Sequence, residues 1–230
     1  MNNKLTYGVI GDLHGRDVWK TFVTDKTVDK WVFIGDYVDD WTIDNITMKC
    51  NLLDIIQFKK DNMDKVILLL GNHDIQYIHS PKYRCSGFRP EMLFDFQEIF
   101  QKNRKLFQVA YQINNYLFTH AGLHKGYYEY RIKPNIEDED INLADTLNRM
   151  YEFNKNELFD IGFRRGGNKN VGGIFWADKI ETSNKSLPEY HQIIGHTQIS
   201  DIITIKKDNN TSITFCDCLQ TINQFYKIII

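Results

Sequence analysis

Residues 31–39 read Trp-Val-Phe-Ile-Gly-Asp-Tyr-Val-Asp, four apolar residues followed by a glycine and two closely spaced carboxylates. The same order occurs at residues 5–15, which end in Gly-Asp-Leu-His-Gly, and at residues 65–74, which end in Gly-Asn-His-Asp. Short apolar runs bounded by glycine predict buried strands. A helix predicted over residues 44–61, with Asp44 as its N-cap, separates the second run from the third. This alternation predicts a parallel sheet with crossover helices.

The rest of the chain predicts further helices and a strand-rich end. The helix over residues 44–61 places Ile46, Cys50, Leu53 and Ile56 at i+3 and i+4 spacing, which predicts that they form its buried face. Further elements are predicted as follows: helices at 90–104 and 140–153, a glycine-rich loop at 162–173, hairpin turns at 114–115 and 208–210, and strands at 106–113, 116–119, 192–194, 199–205, 212–216 and 225–230. We expect one domain over residues 1–230, elaborated around 80–105 and 126–173.

Composition excludes several classes of protein. The 230 residues carry a net charge of -2, so no general electrostatic binding to nucleic acid or to an anionic membrane is expected. The sequence has no apolar run of about 18 residues, which argues against a membrane span, and its start does not resemble a signal peptide. Four cysteines without paired zinc spacing favour a reduced, cytoplasmic setting. The abundance of Asn, Ile and Lys is typical of AT-rich genomes, so the setting could be the host cytoplasm of a phage-encoded protein.

Side chains that can bind metals follow five of the predicted strands. They are Asp12, His14, Asp36, Asp39, Asn72, His73, His120 and His196. The carboxyl ends of parallel strands meet at one rim of a sheet, where ligands bind. Carboxylate and imidazole donors without a thiolate suit a pair of divalent ions about 3.5–4 Å apart. Asp36 is the natural bridging ligand because it follows the middle strand, and a water molecule bridging the two ions would become the attacking hydroxide.

These motifs resemble those of the calcineurin-like metallophosphoesterases, and most closely the phosphoprotein-phosphatase-like branch with its bacterial and phage relatives. They extend from Gly11 to Thr197, and Ile174–Asp178 resembles a Leu-Trp-Ser-Asp segment of that branch. The resemblance implies an α/β fold. In that family it is a four-layer α-β-β-α sandwich of two mixed sheets, with a bimetal site at the sheet edge.

The resemblance also implies a role for each matching residue. His73 would be the general acid, and Asp39 would orient it and supply the negative charge that keeps an imidazole protonated near two cations. Two divalent ions are implied, with manganese preferred over iron, zinc or nickel. Six ligands would hold them, with Asp36 shared: Asp12, His14, Asp36, Asn72, His120 and His196.

The sequence departs from the branch at two positions. Asp40 stands where the branch has an arginine that contacts the substrate phosphate, and Leu70 stands where another arginine is common. A phosphate dianion favours bidentate guanidinium contacts, so either arginines come from elsewhere or the substrate phosphate carries less charge, as in a diester or an anhydride. Arg16 is one candidate replacement. Four others are predicted to bind substrate: Arg84, Arg89, Arg164 and Arg165.

The function predicted from these residues is hydrolysis of a phosphate ester by a metal-bridging hydroxide. The expected enzyme is phosphatase-like, with a phosphomonoester or a serine/threonine phosphoprotein as substrate. The alternative is a nucleotide hydrolase that acts on a dinucleoside polyphosphate or a cyclic phosphate, with Tyr83, Phe88 or Trp41 stacking on a base. Gln198, which replaces a second histidine, argues against a nuclease-like role. A non-catalytic binding module remains the rival from another class.

Overall fold

The computed structural model describes residues 4–136, 142–153 and 155–230. Within them the chain forms ten strands: β1 (Thr6–Ile10), β2 (Lys30–Phe33), β3 (Val66–Leu69), β4 (Phe107–Gln108), β5 (Ala110–Ile113), β6 (Tyr116–Thr119), β7 (His191–Ile194), β8 (Ile203–Lys206), β9 (Ser212–Phe215) and β10 (Tyr226–Ile229). It also forms seven α-helices: α1 (Trp19–Phe22), α2 (Asn45–Asp61), α3 (Asn72–Ile78), α4 (Leu93–Lys102), α5 (Lys125–Tyr127), α6 (Leu143–Glu152) and α7 (Lys179–Asn184).

The described chain divides into two compact units, each with a five-stranded sheet. One unit holds residues 4–108 and 218–230, and the other holds residues 109–217 apart from the undescribed positions. The predicted α/β fold with two mixed sheets is confirmed. The single-domain organisation stays a prediction, and part of its 126–173 elaboration, residues 137–141 and 154, lies outside the described residues.

The sheet of the first unit has the strand order β10-β1-β2-β3-β4. Strands β1 to β4 run parallel, as the alternating pattern predicts, and β10 pairs antiparallel with β1. The three central strands are almost entirely buried, which explains why they read as continuous apolar runs. Their carboxyl ends therefore place the loops after β1, β2 and β3 side by side.

Helix α2 exists as predicted, but its buried face was predicted correctly only at Ile56. Asp44 is the N-cap, since its Oδ1 accepts from the backbone N–H groups of Ile46 and Thr47, both at 2.9 Å. Ile46 is 76% exposed and Leu53 43% exposed, whereas Met48, Leu52, Ile55 and Ile56 are buried. Apolar residues occur on several sides of this helix, so periodicity alone could not identify the face that meets the sheet.

The structure differs from the local predictions at three other places in or beside the first unit. Residues 106–113 do not form one strand, because β4 and β5 separate at Val109 and belong to different sheets. The last three residues of Gly-Asn-His-Asp open the seven-residue helix α3, which the sequence analysis did not predict. The helix predicted at 90–104 is a turn of 3-10 helix followed by α4.

The second unit contains the sheet β5-β6-β7-β9-β8. Strands β6, β7 and β9 run parallel, and β5 and β8 pair antiparallel at the two edges. The strand predicted at 199–205 begins later, at Ile203. Helix α6 begins after the N-cap Asn142, and the first two residues of its predicted range, 140 and 141, lie outside the described residues.

Candidate metal centre

The loops after the first two strands of the first unit are hydrogen-bonded to each other. The backbone N–H groups of Leu13 and His14 donate to the carbonyl oxygen of Asp36 at 3.1 and 2.8 Å, and Gly15 donates to Tyr37 at 2.9 Å. The third loop joins them through the N–H of His73, which donates to Asp36 Oδ1 at 2.9 Å. The three predicted motifs of the first unit therefore form one connected group around Asp36.

Several predicted site residues have backbone conformations that favour glycine. Within the described residues, φ is +46° at His14, +51° at Asp36, +68° at Asp39 and +65° at His196. A left-handed backbone at a non-glycine residue costs roughly 1–2 kcal/mol, and such costs collect at functional sites. The surrounding hydrogen bonds must therefore hold these side chains in orientations that the isolated loops would not choose.

A fully buried carboxylate, Asp74, anchors the Asp36 loop. It accepts from the backbone N–H of Gly71 at 2.8 Å, of Asp36 at 2.9 Å and of Tyr37 at 3.0 Å. Burial and the nearby Asp36 carboxylate raise the pKa of Asp74 well above its ordinary value, against the lowering effect of these hydrogen bonds. Sequence analysis gave Asp74 no role; its place in the first turn of a helix, three residues after a glycine, was the available signal.

Gly71 allows the close approach of the second and third loops. A Cβ atom added there would lie 2.1 Å from Asp36 Oδ1 and 2.6 Å from the Asp36 backbone nitrogen. The φ of Gly71 is -108°, which other residues also adopt, so the glycine is required by space and not by backbone conformation.

His14 is oriented so that its Nε2 atom faces the carboxylate of Asp36. Its Nδ1 lies 3.1 Å from the carbonyl oxygen of Val38 and 2.7 Å from that of Asp39, so Nδ1 carries the hydrogen. Nε2, which then bears the lone pair, is 3.9 Å from Asp36 Oδ2. Burial lowers the pKa of His14, which keeps the ring neutral. A neutral imidazole whose second nitrogen is fixed by a carbonyl is the usual form of a metal-binding histidine.

His73 and Asp39 form a hydrogen-bonded pair. His73 Nδ1 lies 3.0 Å from Asp39 Oδ2, and the His73 ring meets the His14 ring edge to face at 5.0 Å between centroids. Burial opposes protonation of His73, but the Asp36 charge and the hydrogen bonds to Asp39 and Cys85 outweigh it and raise the pKa of His73 well above its ordinary value. The ring is therefore suited to carry a proton.

The remaining two predicted ligands of the first unit are also buried. Asp12 lies at the end of β1, and Asn72 opens α3. The Asn72 Nδ2 atom donates to Cys85 Sγ at 3.3 Å, so Oδ1 is the atom with which the amide would bind a cation. Sequence analysis did not place Cys85 near the motifs.

The second unit brings its two predicted ligands together. His120 and His196 follow the neighbouring parallel strands β6 and β7, and His120 Nε2 lies 3.1 Å from His196 Nδ1. The N–H of Gly195 donates to the carbonyl oxygen of His120 at 2.8 Å, which ties the two loops. Two imidazole nitrogens this close suit either a shared proton or a shared cation.

Three of the four predicted substrate arginines have partners within their own unit. Arg84 lies over the Phe88 ring at 4.5 Å, and Arg165 Nε is 3.2 Å from an Asp178 carboxylate oxygen. Arg89 donates to the Asn45 side chain and to the carbonyl oxygens of Asp40 and Ile43, the last at 2.9 Å. Arg164 is exposed.

Asp40, which replaces the expected arginine, is also engaged. Its Oδ1 accepts from Thr42 N at 2.7 Å and Ile43 N at 3.0 Å, and its Oδ2 accepts from Arg16 Nη2 at 2.8 Å. Burial opposes its ionisation, but the hydrogen bonds from Thr42 and the Arg16 charge outweigh it and lower the pKa of Asp40 to about 2. The carboxylate is therefore ionised at neutral pH and neutralises Arg16.

Residues 5–215 match the family model of the calcineurin-like phosphoesterases. The chain belongs to this family. With the two mixed sheets, the match confirms the calcineurin-like α/β fold. Membership supports a metal-dependent phosphoesterase, and hence a hydrolase that acts on phosphorylated substrates.

Solved structures similar to this phosphoesterase include two with low sequence identity. A serine/threonine phosphatase from Saccharomyces cerevisiae is 18% identical, with a TM-score of 0.49, over 93% of this chain and 68% of that chain. A metallophosphoesterase from Sphaerobacter thermophilus is 12% identical, with a TM-score of 0.43, over 93% of this chain and 76% of that chain. The search of curated proteins finds no match.

The residues of the first unit fit the divalent metal that this phosphoesterase family requires. One ligand atom from each of His14, Asp36 and His73 lies within 4.8 Å of the other two, and all three side chains are largely buried. His14 and Asp36 offer lone pairs to a cation, whereas the raised pKa of His73 suits its ring to donate a proton beside them. An oxygen and nitrogen donor set without a coordinating thiolate suits manganese, iron or zinc.

Among the described residues, none of the helices is both long and apolar enough to cross a bilayer.

Proposed function

We propose that this phosphoesterase is a phosphatase that hydrolyses phosphomonoesters, either of a small molecule or of a serine/threonine phosphoprotein. The observation that carries the proposal is the 3.0 Å pair of His73 and Asp39, on the same connected loops as Asp36 and His14. This arrangement supplies a proton donor beside a carboxylate and a neutral imidazole that suit a cation.

Six residues are proposed as ligands of two metal ions. Asp12, His14 and Asp36 would hold one ion, and we propose manganese because oxygen donors dominate this set. A second ion would be held by Asp36, Asn72, His120 and His196. When bound, the two ions would attract electrons from the phosphoryl oxygens and acidify a water molecule.

His73 would provide the proton for the leaving oxygen. Its Nδ1–H is directed at Asp39, so Nε2 carries the proton that moves to the substrate. Asp39 stabilises the imidazolium before transfer and keeps the ring oriented. Such acid catalysis contributes about 10²–10⁴-fold, and most when the leaving group is a poor one.

A nucleotide hydrolase is the second candidate, and the charge around Asp40 favours it. Asp40 is ionised and paired with Arg16, and the Arg89 guanidinium is committed to the loop at residues 40–45. Fewer guanidinium groups remain for a phosphate dianion, which favours a diester or an anhydride with less charge per phosphorus. Trp41, 82% exposed beside Asp40, offers a surface on which a base could stack.

One activity panel tests both candidates. Metal-stripped protein is reconstituted with manganese and assayed on p-nitrophenyl phosphate, bis-p-nitrophenyl phosphate, a phosphopeptide and diadenosine tetraphosphate. We expect turnover of the monoesters, with Asp36→Asn losing at least about 100-fold on both and His73→Ala losing as much on the phosphopeptide, whose leaving oxygen needs a proton. Higher kcat/KM on the dinucleotide or the diester would favour the nucleotide hydrolase instead.

Matched variants control for damage to the fold. Asp54→Asn removes an exposed carboxylate paired with Lys20 at 2.7 Å, and His191→Gln removes a half-buried histidine of β7. Both should retain wild-type activity. Absence of turnover on all four substrates, with two ions bound, would argue for a binding module and against the proposed enzyme.

A further inference from the structure

Two neighbouring residues of α3, Gln76 and Tyr77, each connect Asp39 of the Asp39–His73 pair to the loop at residues 83–89. Gln76 Nε2 donates to Asp39 Oδ2, and Gln76 Oε1 accepts from the backbone N–H of Cys85 at 3.1 Å. Tyr77 Oη donates to Asp39 Oδ1 at 2.5 Å and accepts from the backbone N–H of Arg89 at 2.9 Å. Both side chains are fully buried.

The Asp39 carboxylate is therefore held by three donors. Oδ2 accepts hydrogen bonds from Gln76 and His73, and Oδ1 accepts one from Tyr77. The backbone of Asp39 is fixed as well, since its carbonyl oxygen lies 2.7 Å from His14 Nδ1. A carboxylate with both oxygens engaged has one orientation, and the direction of the His73 ring depends on it.

Tyr77 is fixed as a donor and as a packed ring. Burial and the Asp39 charge raise the pKa of its hydroxyl, so the phenol keeps its proton and directs it at Asp39. Its ring stacks on Phe88 at 5.1 Å and meets Phe96 edge to face at 5.0 Å. The hydroxyl could therefore be removed without disturbing this packing.

The loop at residues 83–89 lies directly against the same pair. A Cβ atom added at Gly87 would be 3.5 Å from Asp39 Cβ and 3.9 Å from His73 Cε1. This loop carries the Arg84 and Arg89 side chains, and the bonds from Gln76 and Tyr77 attach its backbone at two points. Movement of the loop and movement of Asp39 thus involve the same two side chains.

We propose that Gln76 and Tyr77 are positioning residues that aim the Asp39–His73 pair and couple it to the 83–89 loop. This inference rests on the proposed function, since it requires His73 to be the general acid. Substrate that orders the loop would thereby also hold the acid in place.

The test compares Tyr77→Phe and Gln76→Met with the wild type, and with Tyr127→Phe as the control. Tyr127 is also a buried tyrosine, but its hydroxyl bonds to Glu157 in the second unit. Turnover is measured on phenyl phosphate, whose leaving group needs a proton, and on p-nitrophenyl phosphate, whose leaving group needs it far less. In Tyr77→Phe and in Gln76→Met, kcat for phenyl phosphate should fall about 10-fold or more, while kcat for p-nitrophenyl phosphate falls less than about threefold.

A second measurement does not depend on activity. Amide exchange in the metal-free protein should accelerate at Arg89 in Tyr77→Phe and at Cys85 in Gln76→Met, and at neither residue in Tyr127→Phe. Equal losses on the two substrates would overturn the positioning role, and unchanged exchange would overturn the coupling. A wild type that turns over neither substrate refutes the proposed function, while the exchange result still decides the coupling.

Discussion

Asp74 provides the sharpest test of how the Asp36 loop is held. Its two oxygens accept three backbone N–H groups, from Gly71, Asp36 and Tyr37, at 2.8 to 3.0 Å, and the side chain is fully buried. Asp74→Ala leaves all three donors without this acceptor. Asp74→Asn keeps one oxygen and turns an NH₂ group toward at least one of them.

The magnitudes follow from the number of donors lost. A buried donor left unsatisfied costs about 1–3 kcal/mol, so Asp74→Asn should lower the free energy of unfolding by about 1–3 kcal/mol. Three such costs do not add fully, and loss of the buried charge beside Asp36 offsets part of them. Asp74→Ala should therefore cost about 3–5 kcal/mol.

Asp74→Asn should weaken metal binding as well as the fold. The hydrogen bond from the Asp36 backbone N–H to Asp74 helps to hold the left-handed backbone of Asp36, whose φ is +51°. Loss of a group that orients a metal ligand typically costs about 10–100-fold in affinity, and we expect this for manganese in Asp74→Asn.

Two measurements check these values. Urea unfolding of the metal-free protein gives the stability, and calorimetric titration with manganese gives the affinity, with Asp54→Asn as an exposed control of the same chemistry. The reasoning is refuted if Asp74→Ala costs less than about 1 kcal/mol and manganese affinity stays within about twofold of the wild type.

Three further predictions concern single side chains. Gly71→Ala should reduce manganese affinity at least about tenfold, because the new Cβ would lie 2.1 Å from Asp36 Oδ1. In Asp40→Asn, about 2 kcal/mol of unfolding free energy should be lost at neutral pH; since the folded-state pKa of Asp40 is lowered to about 2, the difference from wild type should vanish as the pH falls from 5 toward 2. Asn148→Ala should cost about 2–4 kcal/mol, because Asn148 Oδ1 accepts from two backbone N–H groups beside β5 at 2.8 and 3.1 Å.

Each of these three predictions would be contradicted by a different result. Wild-type manganese affinity in Gly71→Ala would mean that the second and third loops can separate without cost to the ligand. A pH-independent difference for Asp40→Asn in metal-free urea unfolding would contradict the Asp40 ion pair as a source of stability. A loss below about 0.5 kcal/mol in Asn148→Ala would show that water replaces its side chain.

Much of the architecture could be predicted from the sequence because it repeats a local pattern. The runs ending at Ile10, Ile34 and Leu70 are mostly apolar and stop at glycine, so strand, order and parallel pairing could be predicted together. The N-cap Asp44 was equally readable, because capping depends on one side chain and the next three residues.

The errors lie where long-range packing decides between local alternatives. Ile46 and Leu53 have helical spacing, yet the opposite side of α2 is buried, because contact with the rest of the unit selects among several apolar faces. Helix α3 spans only seven residues, too short for periodicity to reveal. The break at Val109 depends on which sheet each neighbour joins.

By itself, the sequence determined the family, the strand pattern and the candidate ligands, because glycine, carboxylate and imidazole recur at the ends of apolar runs and each repeat is local. Only the tertiary structure revealed what holds Asp36 and the Asp39–His73 pair. Asp74, Gln76 and Tyr77 act through hydrogen bonds to residues 37 and 38 positions away, which no local pattern encodes. The residue types alone predicted the chemistry of this site. The orientation of its side chains depends on buried polar groups that find their hydrogen-bond partners only when the chain has folded.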